Sequence, residues 1–133
     1  MKQSKIHAPV VALIALVTSI AGCGGGGDDA AGAPTALNII PATVTFTAPT
    51  GTPKGVCLSG GSQTVFIYGG AAPYRIDNTL PTALSVDQSQ VSDRGGSFTV
   101  TVTGGCMTSE PIVVLDKLNN TVTFTVTNSP AAS

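Results

Sequence analysis

Three cysteines are the side chains of this 133-residue chain best suited to covalent chemistry: Cys23, Cys57 and Cys106. A thiolate can attack an electrophile, ligate a metal or oxidise to a disulfide. Cys23 stands in "SIAGCGGGGDDA" (19–30), between an apolar run and a glycine-aspartate stretch. Cys57 and Cys106 lie in the glycine-flanked segments "GVCLSGG" and "TGGCMTS". Neither has the CxxC spacing or the nearby histidine that a redox or metal site uses. The other reactive types are sparse. His7 is the single histidine and Glu110 the single glutamate, with Pro111 directly after it. Asp77, Asp87, Asp93 and Asp116 fall one per turn, so no carboxylate pair is marked. No GxSxG, phosphate-loop, dinucleotide or EF-hand pattern occurs. "GGGG" at 24–27 has no strand before it and no helix after it, so it is no phosphate cradle. The expectation is a protein without catalytic residues, metal or cofactor.

Contact chemistry is the remaining option. Tyr68, Tyr74 and Arg75 are the candidates, because Tyr and Arg favour interfaces, and Lys54 is a weaker one. The competing reading keeps both tyrosines in or beside the core with wet hydroxyls and leaves Arg75 on an exposed face. Adjacent Asp28 and Asp29 read as solvated charge in preference to a metal pair. Regular Thr-x-Thr rows suit a solvated β face. A twisted sheet would not hold them flat enough to order water.

The elements that must carry these residues follow from composition. Six basic and seven acidic residues give a formal charge of −1, with only 10% charged and 5% aromatic. Without a basic surplus, nucleic-acid binding is excluded as an expectation. Sixteen glycines and nine prolines, with Thr alternating with Val and Phe, point to an all-β domain rich in turns. The strand-like runs are 37–40, 43–48, 64–69, 73–77, 83–86, 97–103, 111–116 and 121–127. "SFTVTVT" turns Phe98, Val100 and Val102 inward, and "TVTFTVT" does the same with Val122, Phe124 and Val126. "TVFIYG" and "PIVVLD" read as apolar on both faces, as central strands are. Asn119-Asn120 and Gly95-Gly96 mark tight turns. The stretch 49–63 reads as a glycine-rich loop.

Residues 1–22 read as a secretion signal with a helical core. Lys2 and Lys5 supply the positive start, and Ala8 to Ile20 is an apolar run too short for a typical membrane span. Ala21 and Gly22 are small. Ile20-Ala21-Gly22-Cys23 resembles the lipobox of bacterial lipoproteins. The resemblance implies a diacylglyceryl group on the Cys23 thiol, cleavage just before Cys23, and anchoring in a membrane through acyl chains. Gly24 at the following position, where Asp would favour inner-membrane retention, implies the bacterial outer membrane, with the domain facing the periplasm or the cell surface. Residues 23–36 then form a lipidated cysteine and flexible tether. Removing the leader leaves four basic against seven acidic residues and no histidine.

"FIYGGAAPYRID" is similar to the "GGxxPYxV" element of bacterial Ig-like extracellular domains, and "GGSFTVTVTGGC…PIVVLDKLNNTVTFTVTN" resembles their final strands. The resemblance implies a single Ig-like β-sandwich of about seven to eight antiparallel strands over residues 37–128, with a disordered tail at 129–133. With Cys23 acylated, Cys57 and Cys106 are an even pair in an oxidising compartment, which favours a disulfide at one end of the sandwich. The function implied is that of a lipid-anchored envelope protein with a non-catalytic binding or structural module and an unidentified envelope protein partner. The alternatives are an accessory subunit of a secretion or surface-assembly system, or a glycan- or peptidoglycan-binding module.

Overall fold

The computed structural model describes residues 35–132. The expected signal peptide, the expected lipidation at Cys23 and the expected tether, up to residue 34, lie outside these residues. Nine strands form two sheets: β1 (Asn38–Ile40), β2 (Thr43–Thr47), β3 (Ser59–Tyr68), β4 (Tyr74–Asn78), β5 (Leu84–Val86), β6 (Gln90–Val91), β7 (Ser97–Thr103), β8 (Met107–Leu115) and β9 (Thr121–Ser129). One sheet has the order β1-β3-β7-β5, the other β2-β9-β8-β4-β6. No helix occurs among the described residues. The architecture is an all-β sandwich.

Alternation builds the core. Val65 and Ile67 on β3 meet Phe98, Val100 and Val102 on β7; from the second sheet come Ile76, Ile112, Val114, Phe124 and Val126. Phe98 and Phe124 touch edge to face across the sheets, with centroids 6.4 Å apart. That geometry suits the opposed charge of ring face and ring edge.

Several expectations are corrected. Strand pairing is not wholly antiparallel: β2 runs parallel to β9, Thr43 opposite Thr125 through Thr47 opposite Ser129. Pro41 and Ala42 separate β1 from β2, and the chain changes sheets there. β3 begins at Ser59, inside the stretch expected to be a loop, because a bulge between Ser59 and Ser62 absorbs Gly60 and Gly61. A Cβ on Gly61 would lie 2.9 Å from the Phe46 ring, so glycine admits the close approach of β2's side chain. β8 begins at Met107 and carries a second bulge before Glu110. Pro111 lies beyond the end of β4, whose last partner is Ile112, so its missing N–H costs no ladder bond on that side. At the hairpin tip only Asn119 has positive φ, 63°, and the turn runs from Asp116 to Asn119. It is therefore longer than the two-residue Asn119-Asn120 turn.

The boundaries shift as well. Gly70 N–H donates to the Thr35 carbonyl at 2.7 Å, so Thr35 is bonded to the β3–β4 loop. Ser129 is the last residue of β9, and its carbonyl accepts from Ala48 N–H at 3.0 Å.

Candidate functional site

The sandwich has two chemically distinct ends. The first gathers the incoming chain at Thr35–Leu37, the β3–β4 loop, the β6–β7 loop and the β8–β9 turn. Asp116 organises it. This carboxylate is 4% exposed and accepts four hydrogen bonds: from the Leu118 and Asn120 amides, the Asn120 side chain and the Ala71 amide, at 2.8–3.0 Å. Burial pushes its pKa up, but the bonds from the Asn120 side chain and the three amides outweigh that and hold it below the ordinary carboxylate value. Lys117 N–H completes the tie by donating to the Ala71 carbonyl at 2.8 Å.

The opposite end holds Cys57 and Cys106. They are joined in a disulfide with Cα atoms 5.3 Å apart. The bridge links the segment entering β3 to the crossing from β7 in one sheet to β8 in the other. Asn128, 1% exposed, duplicates the link. Its Oδ1 accepts from Leu58 N–H, and its Nδ2 donates to the carbonyls of Leu58 and Gly105. The neighbours of both cysteines are thus clamped by one amide. No buried side-chain nitrogen or oxygen lacks a partner among the described residues.

The sequence-derived contact residues separate. Tyr74 is fully buried, which corrects its place among the contact candidates. It begins β4 facing the core and donates its hydroxyl proton to the Gly69 carbonyl at 2.7 Å. Burial raises its pKa, partly opposed by Arg94. Its hydroxyl is therefore bonded to protein, not wet. Tyr74→Phe should cost about 1 kcal/mol, the net worth of one such bond, with no change in fold. Matched urea unfolding curves check this, and an unchanged midpoint would refute it.

Tyr68 is 47% exposed on the outer face of the first sheet. Phe66, on the same face, is 46% exposed, and its register partner Ile40 on β1 is 53% exposed. β3 lies between β1 and β7, a central strand as "TVFIYG" implies, but only one of its two apolar faces is buried: with Val65 and Ile67 inward, Phe66 and Tyr68 must face out. The alternation was available as a signal for this patch. Arg75 is exposed on the other sheet, beside a shallow groove of about 280 Å³ lined also by Asp77, Ser89, Gln90 and Leu115. Tyr68 and Arg75 therefore lie on different sheets and form no common site. Lys54 is exposed in the loop before β3.

Asp116 and Asn128 escaped the sequence reading because each is a common turn or surface type. Only tertiary contacts bury them. Among the described residues, no three His, Cys, Asp or Glu side chains converge as a cation site would require. No protein-family model, curated protein or solved structure matches this chain.

Proposed function

We propose that this chain is a lipid-anchored envelope protein whose Ig-like β-sandwich is a non-catalytic binding or structural module. The carrying observation is the cysteine economy. Cys57 and Cys106 are consumed in a disulfide, which leaves Cys23 as the one free thiol, at the edge of a leader that ends in small residues. A structural disulfide accords with an oxidising, exported location. Two or more acyl chains hold a protein to a bilayer firmly, and the anchor raises its local concentration near envelope partners.

The mode of contact is a protein surface. The outward Ile40, Phe66 and Tyr68 side chains form a small apolar patch next to the short edge strand β1. This favours the accessory-subunit version of the function over the glycan version. A glycan groove needs several exposed aromatics, and Tyr74 is withdrawn into the core. Phe66→Ser with Tyr68→Ser should weaken partner crosslinking in the intact envelope while changing stability by no more than about 0.5 kcal/mol per site. Unchanged crosslinking would move the contact elsewhere.

Intact mass of the membrane-extracted protein tests the anchor. The expected species starts at Cys23, carries acyl chains and gains two alkyl groups only after reduction. A chain retaining Lys2, or an unacylated product, overturns the reading.

A further inference from the structure

We propose that the free edge of β2 pairs antiparallel with β2 of a second copy of this chain, about a two-fold axis at Thr45. The pairing needs no lipid on Cys23.

The first observation is which sheet edges are guarded. One sheet ends in β1 and β5, the other in β2 and β6. β6 is two residues long. β1 and β5 have three residues each and run into Pro41 and Asp87. Short strands, proline and charge keep an edge from pairing with another chain. β2 has none of these devices. Its five residues, "TVTFT", include no charge and no proline, and no bulge interrupts its register with β9. β9 beside it also lacks a charged residue, so a second copy brought against this edge meets no like charge on either strand.

The second observation is backbone direction. At the two ends of β2, Thr125 N–H donates to the Ala42 carbonyl and Ala48 N–H to the Ser129 carbonyl, each at 3.0 Å. The even-numbered residues therefore turn their backbone groups toward β9. Successive residues of a strand turn them to opposite sides, so Thr43, Thr45 and Thr47 present theirs to the free edge. Among the described residues no backbone group bonds to them there.

The third is the order of the side chains. Val44 and Phe46 face the core and pack against it, yet both stay only half-buried because no strand lies beyond β2. A two-fold axis at Thr45 sets Thr45 opposite its own copy and Thr43 opposite Thr47 of the second copy. These are the residues with free backbone groups, so each pair can exchange both N–H···O=C bonds. The same axis sets Val44 opposite Phe46 of the second copy, and the reverse. An aromatic side chain then covers a β-branched one on the inner face, a favourable cross-strand pair, and threonine meets threonine on the outer face. Each copy occupies the other's edge, so the assembly closes at two. Five residues a side make a contact smaller than the standard interface of about 800 Å² per partner, so the pairing is reversible and suited to trapping by a crosslink.

Cells expressing full-length variants would be treated with a mild oxidant and their proteins separated without reductant. Residues facing each other in a bonded antiparallel pair have Cα atoms about 5.5 Å apart, within disulfide range. Thr45→Cys should therefore give a covalent dimer, at least about fivefold above Thr43→Cys alone. In the latter the two new thiols lie about 13 Å apart along the strands, out of range. Cys23 is common to both variants, so any dimer through it cancels in the comparison. Coexpressed Thr43→Cys and Thr47→Cys chains should crosslink to each other. Adding Thr45→Lys to both chains should abolish that product, because like charges then face each other. Thr45→Lys on one chain and Thr45→Glu on the other should restore it, which also shows that both variants fold. Equal dimer from Thr43→Cys and Thr45→Cys, or none from Thr45→Cys, overturns the proposal. So does a Thr45→Cys chain that crosslinks to a different protein and not to itself, which would make this edge the seat of another protein's strand.

Discussion

Replacing Cys57 and Cys106 together with alanine should lower the stability of the sandwich by about 4 kcal/mol and its melting temperature by about 20 °C. The bridge closes 49 residues, which include all of β3 through β7. In the unfolded chain, opening a loop of that length restores conformational freedom worth about 4 kcal/mol in the chain-entropy model. A domain of this size has a net stability of about 5–15 kcal/mol, so the loss is a large share of the total. It should not abolish folding. Asn128 still holds Leu58 and Gly105, the residues next to each cysteine, by hydrogen bonds that need no disulfide. The reduced protein should therefore keep its β-sheet circular dichroism at room temperature and melt earlier. Thermal scans of the wild type, the double variant and the reduced wild type check this. A shift below about 5 °C in the double variant would mean that the bridge constrains little beyond what Asn128 already constrains.

The parts of this fold that could be read from sequence are those where one face is buried and the period of two is unbroken. β7 matches its expected span because Phe98, Val100 and Val102 alternate with threonines along its whole length. β9 is similar, with Phe124, Val126 and Asn128 fully inward. Asn128 continues the inward set as a polar residue, so the apolar pattern stops two residues before the strand does. β3 and β8 were misjudged at their starts for a different reason. Each carries a bulge near its first residues, and a bulge inserts residues that break alternation. Gly60-Gly61 and Ser109, with positive φ at Gly60 and Ser109, are the local marks of those bulges. β6 is two residues long, too short for any period to show. The parallel pairing of β2 with β9 carries no local signature, since a strand's own pattern is indifferent to its neighbour's direction.

The candidate site divides along the same line. The disulfide was legible because the cysteine count and the expectation of an oxidising compartment both favour pairing Cys57 with Cys106. Tyr68 and Tyr74 were not separable by type, since both are aromatic residues in short apolar runs. What separates them is parity. Tyr74 shares the inward face with Ile76, and Tyr68 shares the outward face with Phe66. The exposure of Leu118 depends on the turn that Asp116 builds, and that turn depends on Ala71, 45 residues away.

Asp116→Ala is the second large effect to expect, a loss of about 2–3 kcal/mol. The carboxylate serves three backbone amides and one side-chain amide. Hydrogen bonds to a charged group contribute about 1.5–3 kcal/mol each in isolation. The total falls short of their sum because water can reach the Leu118 and Asn120 amides, which belong to exposed residues. The Ala71 amide is less accessible and would be left unmet. Asp116→Asn should cost nearly as much: its new NH₂ would have to face either the Ala71 amide and the Asn120 side chain or the Leu118 and Asn120 backbone amides, and donor would meet donor. The effect should depend on pH. Because the folded pKa lies below the unfolded value, the unfolded state binds the proton more readily. Asp116 therefore stabilises the fold fully above the unfolded pKa of about 3.9, and that contribution disappears as pH falls through the folded value. Wild type and Asp116→Asn should thus differ most at neutral pH and converge in acid. Urea unfolding of both proteins from pH 7 down to pH 2.5 measures the gap, and a gap that stays constant across that range would show that Asp116 is not held as the buried anion.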